Sequence, residues 1–277
     1  MECQPPRGAP ATGRYTPGPR DEWTQPPAAE PDDAMNIRRR TRALRMRSGV
    51  AAASLGGHLR RKRVVHMLHI GKTGGTALKH ALRDRPAPAS LQLMLHGHFV
   101  PLSAIPQRDE VFFFLRDPVS RYVSGFNSRL REGRPAHDRP WTPGERRAFE
   151  SFRTPDELAR ALSAEDRKLV TDARAAMGRI GHVRWPLTRW LRDADLLRER
   201  RDRIVLIGAV ETLEADFERL KAALGLPATC RLPAAEDAAH RAPSDGSTAL
   251  SDEAVMNLRE WYRADYELID ACRDLGA

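Results

Sequence analysis

The sequence predicts an α/β fold built on a central parallel sheet. Three short apolar runs, at residues 63–68, 111–115 and 203–210, are each followed by residues that favour the start of a helix. Continuous apolar runs of this length are typical of strands that are buried on both faces of a parallel sheet. A strand, a turn and a helix in repeated succession indicate the α/β class.

The turn after the first run contains the most informative residues of the chain. It reads HIGKTGGT over residues 69–76, and a helix-permissive stretch follows at 77–82. Backbone N–H groups converge at such a helix N-terminus, the helix dipole adds partial positive charge, and a lysine adds a full one. Glycine lets the backbone approach a phosphate closely because it has no Cβ. The turn therefore predicts a phosphate site made by Lys72, Thr73, Gly74, Gly75 and Thr76.

Two familiar phosphate motifs do not match this turn. A Walker A loop requires an earlier glycine at the position that His66 occupies, and the spacing of the dinucleotide fingerprint GxGxxG is absent. An ordinary strand-to-helix turn with incidental glycines is the structural alternative.

A second strand–helix junction also carries groups suited to phosphate. The run at 111–115 leads into RDPVSRYVS at residues 116–124, where Asp117 suits a helix cap and Pro118 the first helical turn. Arg116 then follows the strand's carboxyl end, and Ser124 lies two turns into the helix. A guanidinium binds phosphate through two parallel hydrogen bonds, which predicts a second phosphate site. An arginine–aspartate surface pair at a helix cap is the alternative.

These two segments together resemble known motifs. Residues 69–76 resemble the 5′-phosphosulfate loop of sulfotransferases that use 3′-phosphoadenosine-5′-phosphosulfate (PAPS), and residues 116–124 resemble their 3′-phosphate motif, RDPxxRxxS. They occur in the family's order, about 45 residues apart. The chain is most similar to the branch that contains the heparan sulfate 2-O- and 6-O-sulfotransferases and their bacterial relatives, although Gly71 replaces a common proline. The resemblance implies a P-loop-like three-layer sandwich and PAPS as the sulfuryl donor.

The resemblance also implies roles for the residues. Lys72 would bridge the 5′-phosphate and the sulfonate, residues 73–76 would bind the 5′-phosphate, and Arg116 with Ser124 would hold the 3′-phosphate. Arg241 lies in a polar loop at 239–247, which closes over the nucleotide in relatives, and is a further candidate for binding phosphate. The scheme requires no metal.

A pair of histidines is the candidate for acid–base chemistry. The segment LMLHGHF at 93–99 ends an apolar run with His96 and His98, and a neutral imidazole can accept a proton from an alcohol. The 2-O-sulfotransferases carry a similar His-Gly-His, which implies His98 as the base and His96 as an accessory or substrate-contacting residue. A purely structural or zinc-like pair is the alternative, and His66 and His69 are expected to be structural.

The remaining patterns predict helices around this core. Capping boxes at 142–145 and 154–157 predict two short helices within a helical insert for the acceptor; residues 213–224 predict an amphipathic helix, and a final helix is expected from Ser251 through Asp270. Nine arginines against four acids between 174 and 203, together with Trp185 and Trp190, indicate either an acceptor-binding surface or a solvated helical face.

Composition separates a tail from the catalytic domain. Residues 1–62 are rich in Pro, Gly and Arg and are predicted to be disordered, whereas 63–277 form the expected catalytic domain. Residues 1–63 carry a net charge of +7 out of the chain's +9, so the arginines of the tail are candidates for contact with nucleic acid or a membrane surface. No apolar run approaches the ~20 residues of a membrane span. Three cysteines do not make a disulfide framework, so a cytoplasmic location is expected.

The leading hypothesis is a PAPS-dependent O-sulfotransferase that acts on an acceptor hydroxyl. The acceptor could be a saccharide, a glycolipid headgroup or a small metabolite. A P-loop-like nucleotide or small-molecule kinase and a non-catalytic nucleotide-binding protein are the alternatives.

Overall fold

A four-stranded parallel sheet forms the centre of the residues that the structure describes. The computed structural model describes residues 33–83, 87–135, 137–233 and 249–276, with only the backbone for 33–39 and 276. The sheet order is β2–β1–β3–β4, and the strands are β1 (Arg63–Met67), β2 (Leu91–Leu95), β3 (Glu110–Leu115) and β4 (Ile204–Ala209). The helices are α1 (Asp33–Leu59), α2 (Gly75–Leu82), α3 (Pro118–Leu130), α4 (Pro143–Ser151), α5 (Pro155–Arg160), α6 (Arg167–Arg179), α7 (Thr188–Leu191), α8 (Ala194–Glu199), α9 (Leu213–Leu224), α10 (Asp252–Trp261) and α11 (Arg263–Gly276). Short 3₁₀ turns lie at Leu102–Ala104, Ala161–Ser163 and Arg201–Arg203.

Helices cover both faces of this sheet. Successive phenylalanines of β3 point to opposite faces, so Phe113 belongs to the core with residues of α7, α8 and α11, whereas Phe112 and Phe114 belong to the core with α2 and α9. All three rings are fully buried. The predicted α/β class with a helix-covered parallel sheet is thereby confirmed.

The strand order places both predicted motifs at one edge of the sheet. In a parallel sheet the carboxyl ends of the strands lie together, and here β1 leads into the glycine turn, β3 into Arg116 and β4 into Glu211. In the sheet, β2 lies on one side of β1, and the next strand of the chain, β3, lies on the other side of β1. A crevice between diverging connections is the usual ligand site of such sheets.

The second strand is an addition to the predicted runs. Residues Leu91–Leu95 pair in parallel with β1, with Val65 opposite Leu93 and Met67 opposite Leu95. The apolar run that precedes the two histidines is therefore a strand, and His96 and His98 follow its carboxyl end. This position brings the histidines to the same edge as the glycine turn.

Within the segment 1–62 that is predicted to be a disordered tail, the structure describes residues 33–59 as α1; residues 1–32 lie outside the described range. From Leu44 onward the chain forms one compact unit. Within it α1 buries Val50, Ser54 and Gly57, and a Cβ on Gly57 would lie 2.6 Å from Val64 Cγ2. This contact stripe consists mainly of small residues, so it leaves no apolar periodicity in the sequence.

The helical insert follows the predicted caps. Both capping boxes form, at Thr142 with Glu145 and at Thr154 with Glu157. The predicted final helix is instead divided at Tyr262 into α10 and α11. Among the described helices, none is both long enough and apolar enough to cross a membrane.

Candidate active site

A cleft of about 2010 Å³ opens at the carboxyl edge of the sheet. Its lining includes most of the predicted site residues: Lys72, Gly74, Gly75, Thr76, His98, Arg116 and Ser124. Thr73 and His96 are buried and are not among the lining residues. Arg241 lies outside the described residues.

The glycine turn is shaped by two left-handed residues and one close contact. Lys72 has φ 68° and Gly74 has φ 74°, which turns the backbone sharply before α2. A Cβ on Gly75 would lie 2.1 Å from His69 Cδ2, so the residue must be glycine for the His69 ring to occupy its position. The Thr73 hydroxyl donates to the Ile70 carbonyl at 3.0 Å. Its side chain therefore braces the turn, and its backbone remains the part available to a ligand.

The first turn of α2 presents unpaired donors. Gly74 is the N-cap and no side chain caps the helix, so the N–H groups of Gly75, Thr76 and Ala77 have no intrahelical acceptor. Thr76 is exposed at the cleft. This arrangement fits an anion.

Lys72 brings a charge that the described chain does not balance. Among the described residues no Asp or Glu oxygen lies within ion-pair distance of its amine. Burial, with Arg116 and Arg131 nearby, lowers the pKa of Lys72 to about 8. A bound anion would remove this penalty, because an opposite charge favours the protonated amine.

Arg116 and Ser124 form the second half of the basic cleft. Arg116 Nε donates to Ser120 Oγ at 3.0 Å, which holds the guanidinium on the face of α3 that also carries Ser124. Burial is the main cause that lowers the pKa of Arg116. The group nevertheless stays charged at every pH of interest.

The other arginine of the same motif has a structural role. Arg121 is buried, and its Nη2 donates to Asp265 Oδ2 at 3.0 Å and to the Trp185 carbonyl at 2.9 Å. Asp265 also accepts from the backbone N–H of Leu187 at 2.7 Å. Arg121 therefore ties α3 to α11 and to the chain before α7.

His98 is oriented as a proton acceptor. Its Nδ1 lies 3.2 Å from the carbonyl oxygen of His69, and a carbonyl only accepts, so Nδ1 carries the proton and Nε2 carries the lone pair. Burial lowers the pKa of His98, which keeps the ring neutral. Trp190 Nε1 donates to the His98 carbonyl at 2.8 Å and fixes this segment further.

His96 belongs to a buried network behind the cleft. Its Nε2 lies 2.7 Å from His66 Nδ1, and His66 Nε2 lies 2.9 Å from Asp109 Oδ2. Asp109 Oδ1 in turn lies 2.5 Å from His58 Nε2 on α1. The network joins β1, β2 and α1, so the predicted contact of His96 with substrate stays a prediction that this geometry does not favour.

Several cleft residues carry no sequence motif. His182, Phe99, Arg184 and Trp185 line the side formed by the insert, where the Phe99 and Trp185 rings lie 5.9 Å apart, edge to face. Trp190 is instead buried in the core. Glu211 lines the cleft and accepts from the Asp117 N–H at 3.3 Å. The arginine–tryptophan pattern had indicated the region, but nothing local marked His182.

Fold and site together define an α/β protein with a parallel sheet, whose cleft is lined by a lysine, an arginine and a neutral histidine. The comparison with protein families identifies this class more closely. The model described as "Sulfotransferase family" matches residues 60–270, and the chain therefore belongs to the sulfotransferase family. It is accordingly a transferase that moves sulfuryl groups. No curated protein and no solved structure matches the chain.

Proposed function

We propose that this protein is a PAPS-dependent O-sulfotransferase in which His98 is the general base. One observation carries the proposal. Lys72, Arg116 and Ser124 line the same cleft as His98, whose Nδ1 is occupied by the His69 carbonyl so that Nε2 keeps the lone pair. Two sets of phosphate-binding groups and a base then serve one ligand site.

The residues present fit the proposed donor. At the start of α2, a Cβ at Gly75 would clash with His69, and no side chain caps the first backbone N–H groups of the helix. A 5′-phosphosulfate requires such N–H donors at a turn that it can approach closely. Lys72 would lie on this end of PAPS. Arg116 and Ser124 would hold the 3′-phosphate, as the resemblance to the RDPxxRxxS motif implies.

The reaction assigns each group a task. The acceptor oxygen bonds to sulfur while the bond between sulfur and the 5′-phosphate oxygen breaks, and the electron pair of that bond passes to the phosphate. His98 Nε2 takes the proton of the acceptor hydroxyl. Lys72 offsets the charge that grows on the phosphate, which is the largest contribution that such a site makes to the rate.

The acceptor would enter from the side formed by the insert. Phe99 directly follows His98, and its exposed ring meets Trp185, over which the guanidinium groups of Arg184 and Arg189 lie at 5.1 and 4.7 Å. Aromatic faces suit the ring of a saccharide or of a small metabolite. A hydroxyl-bearing acceptor with a ring is the class that this surface supports.

Nucleotide choice tests the proposal against a kinase. Thermal unfolding is measured with adenosine 3′,5′-bisphosphate and with ATP–Mg²⁺ for the wild type, Arg116→Ala and Arg153→Ala. Arg153 is exposed and does not line the cleft, so it is the matched control. Bisphosphate at about 100 times its dissociation constant should raise the melting temperature by about 5–10 °C. The shift should persist in Arg153→Ala and vanish in Arg116→Ala.

The opposite result would identify a different enzyme. A shift with ATP–Mg²⁺ and none with the bisphosphate overturns the proposed function and favours the kinase. A bisphosphate shift that Arg116→Ala retains would remove Arg116 from the 3′-phosphate site.

A further inference from the structure

A third imidazole converges on the cleft from the insert. His182 follows α6, lines the cleft, and lies with its ring 5.8 Å from that of His98, edge to face. It belongs to neither phosphate motif and has no part in the mechanism described above.

The surroundings hold His182 in an unusual backbone conformation. Its φ is 66°, a left-handed value that residues other than glycine seldom adopt. The preceding Gly181 donates its N–H to Glu145 Oε1 at 3.0 Å. Helix α3 leaves room for His182 because its Gly125 has no side chain; a Cβ there would lie 3.2 Å from His182 Cβ. Strain of this kind persists where packing imposes it and is common at functional sites.

The two ring nitrogens of His182 have different environments. Nδ1 is fully buried and has no hydrogen-bond partner, and Gly71 packs against it, since a Cβ there would lie 3.2 Å away. Nε2 makes no hydrogen bond among the described residues either, but it is not one of the fully buried atoms that lack a partner. It is therefore accessible, and because His182 lines the cleft, Nε2 is the nitrogen that the cleft can reach.

The proton of the neutral ring belongs on Nε2. Burial, together with Lys72 and His98, lowers the pKa of His182 to about 3, so the ring is neutral. A buried N–H without an acceptor is rarer and more costly than a buried lone pair. Nδ1 therefore keeps the lone pair, and Nε2–H is left as a donor facing the cleft. His98 has the opposite arrangement, with its lone pair on Nε2.

We infer that His182 is a further catalytic residue, which donates a hydrogen bond from Nε2–H to an oxygen of the transferring sulfuryl group. The inference rests on the proposed function. Lys72 is close enough to His182 to affect it electrostatically, and the sulfuryl oxygens are the acceptors that Lys72 would bring to this place. One imidazole then removes the acceptor's proton while the other stabilises the group in transit.

A comparison of two nucleotides isolates this contact. PAPS carries the sulfuryl group and adenosine 3′,5′-bisphosphate does not, so the ratio of their dissociation constants reports the contact without any acceptor or turnover. Both constants are measured by calorimetry for the wild type, His182→Gly and His182→Gln. Glycine accepts the left-handed backbone without strain, which protects folding. Glutamine places an amide N–H near the position of Nε2. Arg61→Gly, at an exposed residue with φ 56°, controls for the relief of backbone strain.

The expected result is selective for the sulfuryl group. His182→Gly should weaken PAPS binding about three- to tenfold, the loss of one hydrogen bond, and leave bisphosphate binding unchanged. His182→Gln should recover part of the loss, and Arg61→Gly should match the wild type. Equal weakening of both nucleotides, or of neither, overturns the inference. A wild type that binds no bisphosphate instead overturns the proposed function itself, and this inference with it.

Discussion

The Nδ1 atom of His98 lies 3.2 Å from the carbonyl oxygen of His69, and this contact decides which nitrogen of His98 can act as a base. The same His69 ring fills the space over Gly75 and lies 3.8 Å, centroid to centroid, from the His98 ring. The glycine turn before α2 and the proposed base, His98, are thus packed against the same ring. A change in either is expected to reach the other.

Replacing His98 by asparagine should keep the hydrogen bond to the His69 carbonyl while removing the group that accepts the acceptor's proton. The asparagine amide can still donate to the His69 carbonyl, but it cannot accept the acceptor's proton. We expect sulfuryl transfer from ³⁵S-labelled PAPS to a mixture of sugar and phenol acceptors to fall about 10²–10⁴-fold. The affinity for adenosine 3′,5′-bisphosphate should stay unchanged. His80→Asn, at an exposed histidine of α2, is the control. Full activity in His98→Asn would exclude His98 as the base.

The affinity for adenosine 3′,5′-bisphosphate should decrease at alkaline pH because of Lys72. Its pKa in the free protein is lowered to about 8, and a bound anion favours the protonated amine and raises that pKa. Binding should therefore be constant between pH 7 and about 8 and then weaken about tenfold per pH unit, up to the pKa of the complex. Calorimetric titrations from pH 7 to 10 measure this slope.

Lys72→Arg is the matched control for that slope. Arginine stays protonated throughout this range, so its affinity for the bisphosphate should not vary between pH 8 and 10. A wild-type affinity that is equally flat would show that Lys72 does not lie on the phosphate.

Local pattern was sufficient for three of the four described strands and for the caps, but not for β2 or for the direction of polar side chains. The apolar runs and the Thr-Pro capping boxes act within a few residues, so they could be read directly. Arg116 and Arg121 belong to one motif, yet Arg116 faces the cleft, whereas Arg121 turns to Asp265, 144 residues further along the chain. Only the folded chain shows that partner.

Two other features escaped prediction for similar reasons. The contact face of α1 consists of Val50, Ser54 and Gly57, and small residues give no apolar period. His182 reaches the cleft because the insert folds back over Gly125 and Gly71. No pattern among the residues that neighbour His182 in sequence predicts these contacts.

The ion pair of Arg121 and Asp265 should matter for stability and not for nucleotide binding. Both side chains are almost fully buried, and removal of one partner from a buried pair leaves an uncompensated charge. Arg121→Ala should lower the free energy of unfolding by about 3–5 kcal/mol, measured by urea denaturation. Arg121→Met with Asp265→Leu should cost less than the single change, because no charge remains buried. A loss of bisphosphate affinity in the folded double variant would instead show that Arg121 contacts phosphate.

Replacing Gly75 by alanine should damage the cradle through His69. The new Cβ would lie 2.1 Å from His69 Cδ2, and that ring is buried beneath His98, so it cannot move away freely. Overpacking of this kind costs about 1–3 kcal/mol, which should weaken bisphosphate binding and also disturb the contact between His69 and His98. Gly97→Ala is the matched control, since a Cβ at that glycine would meet nothing within 4 Å. Equal bisphosphate affinities in the two variants would show that the close approach of Gly75 to His69 is not needed for the cradle.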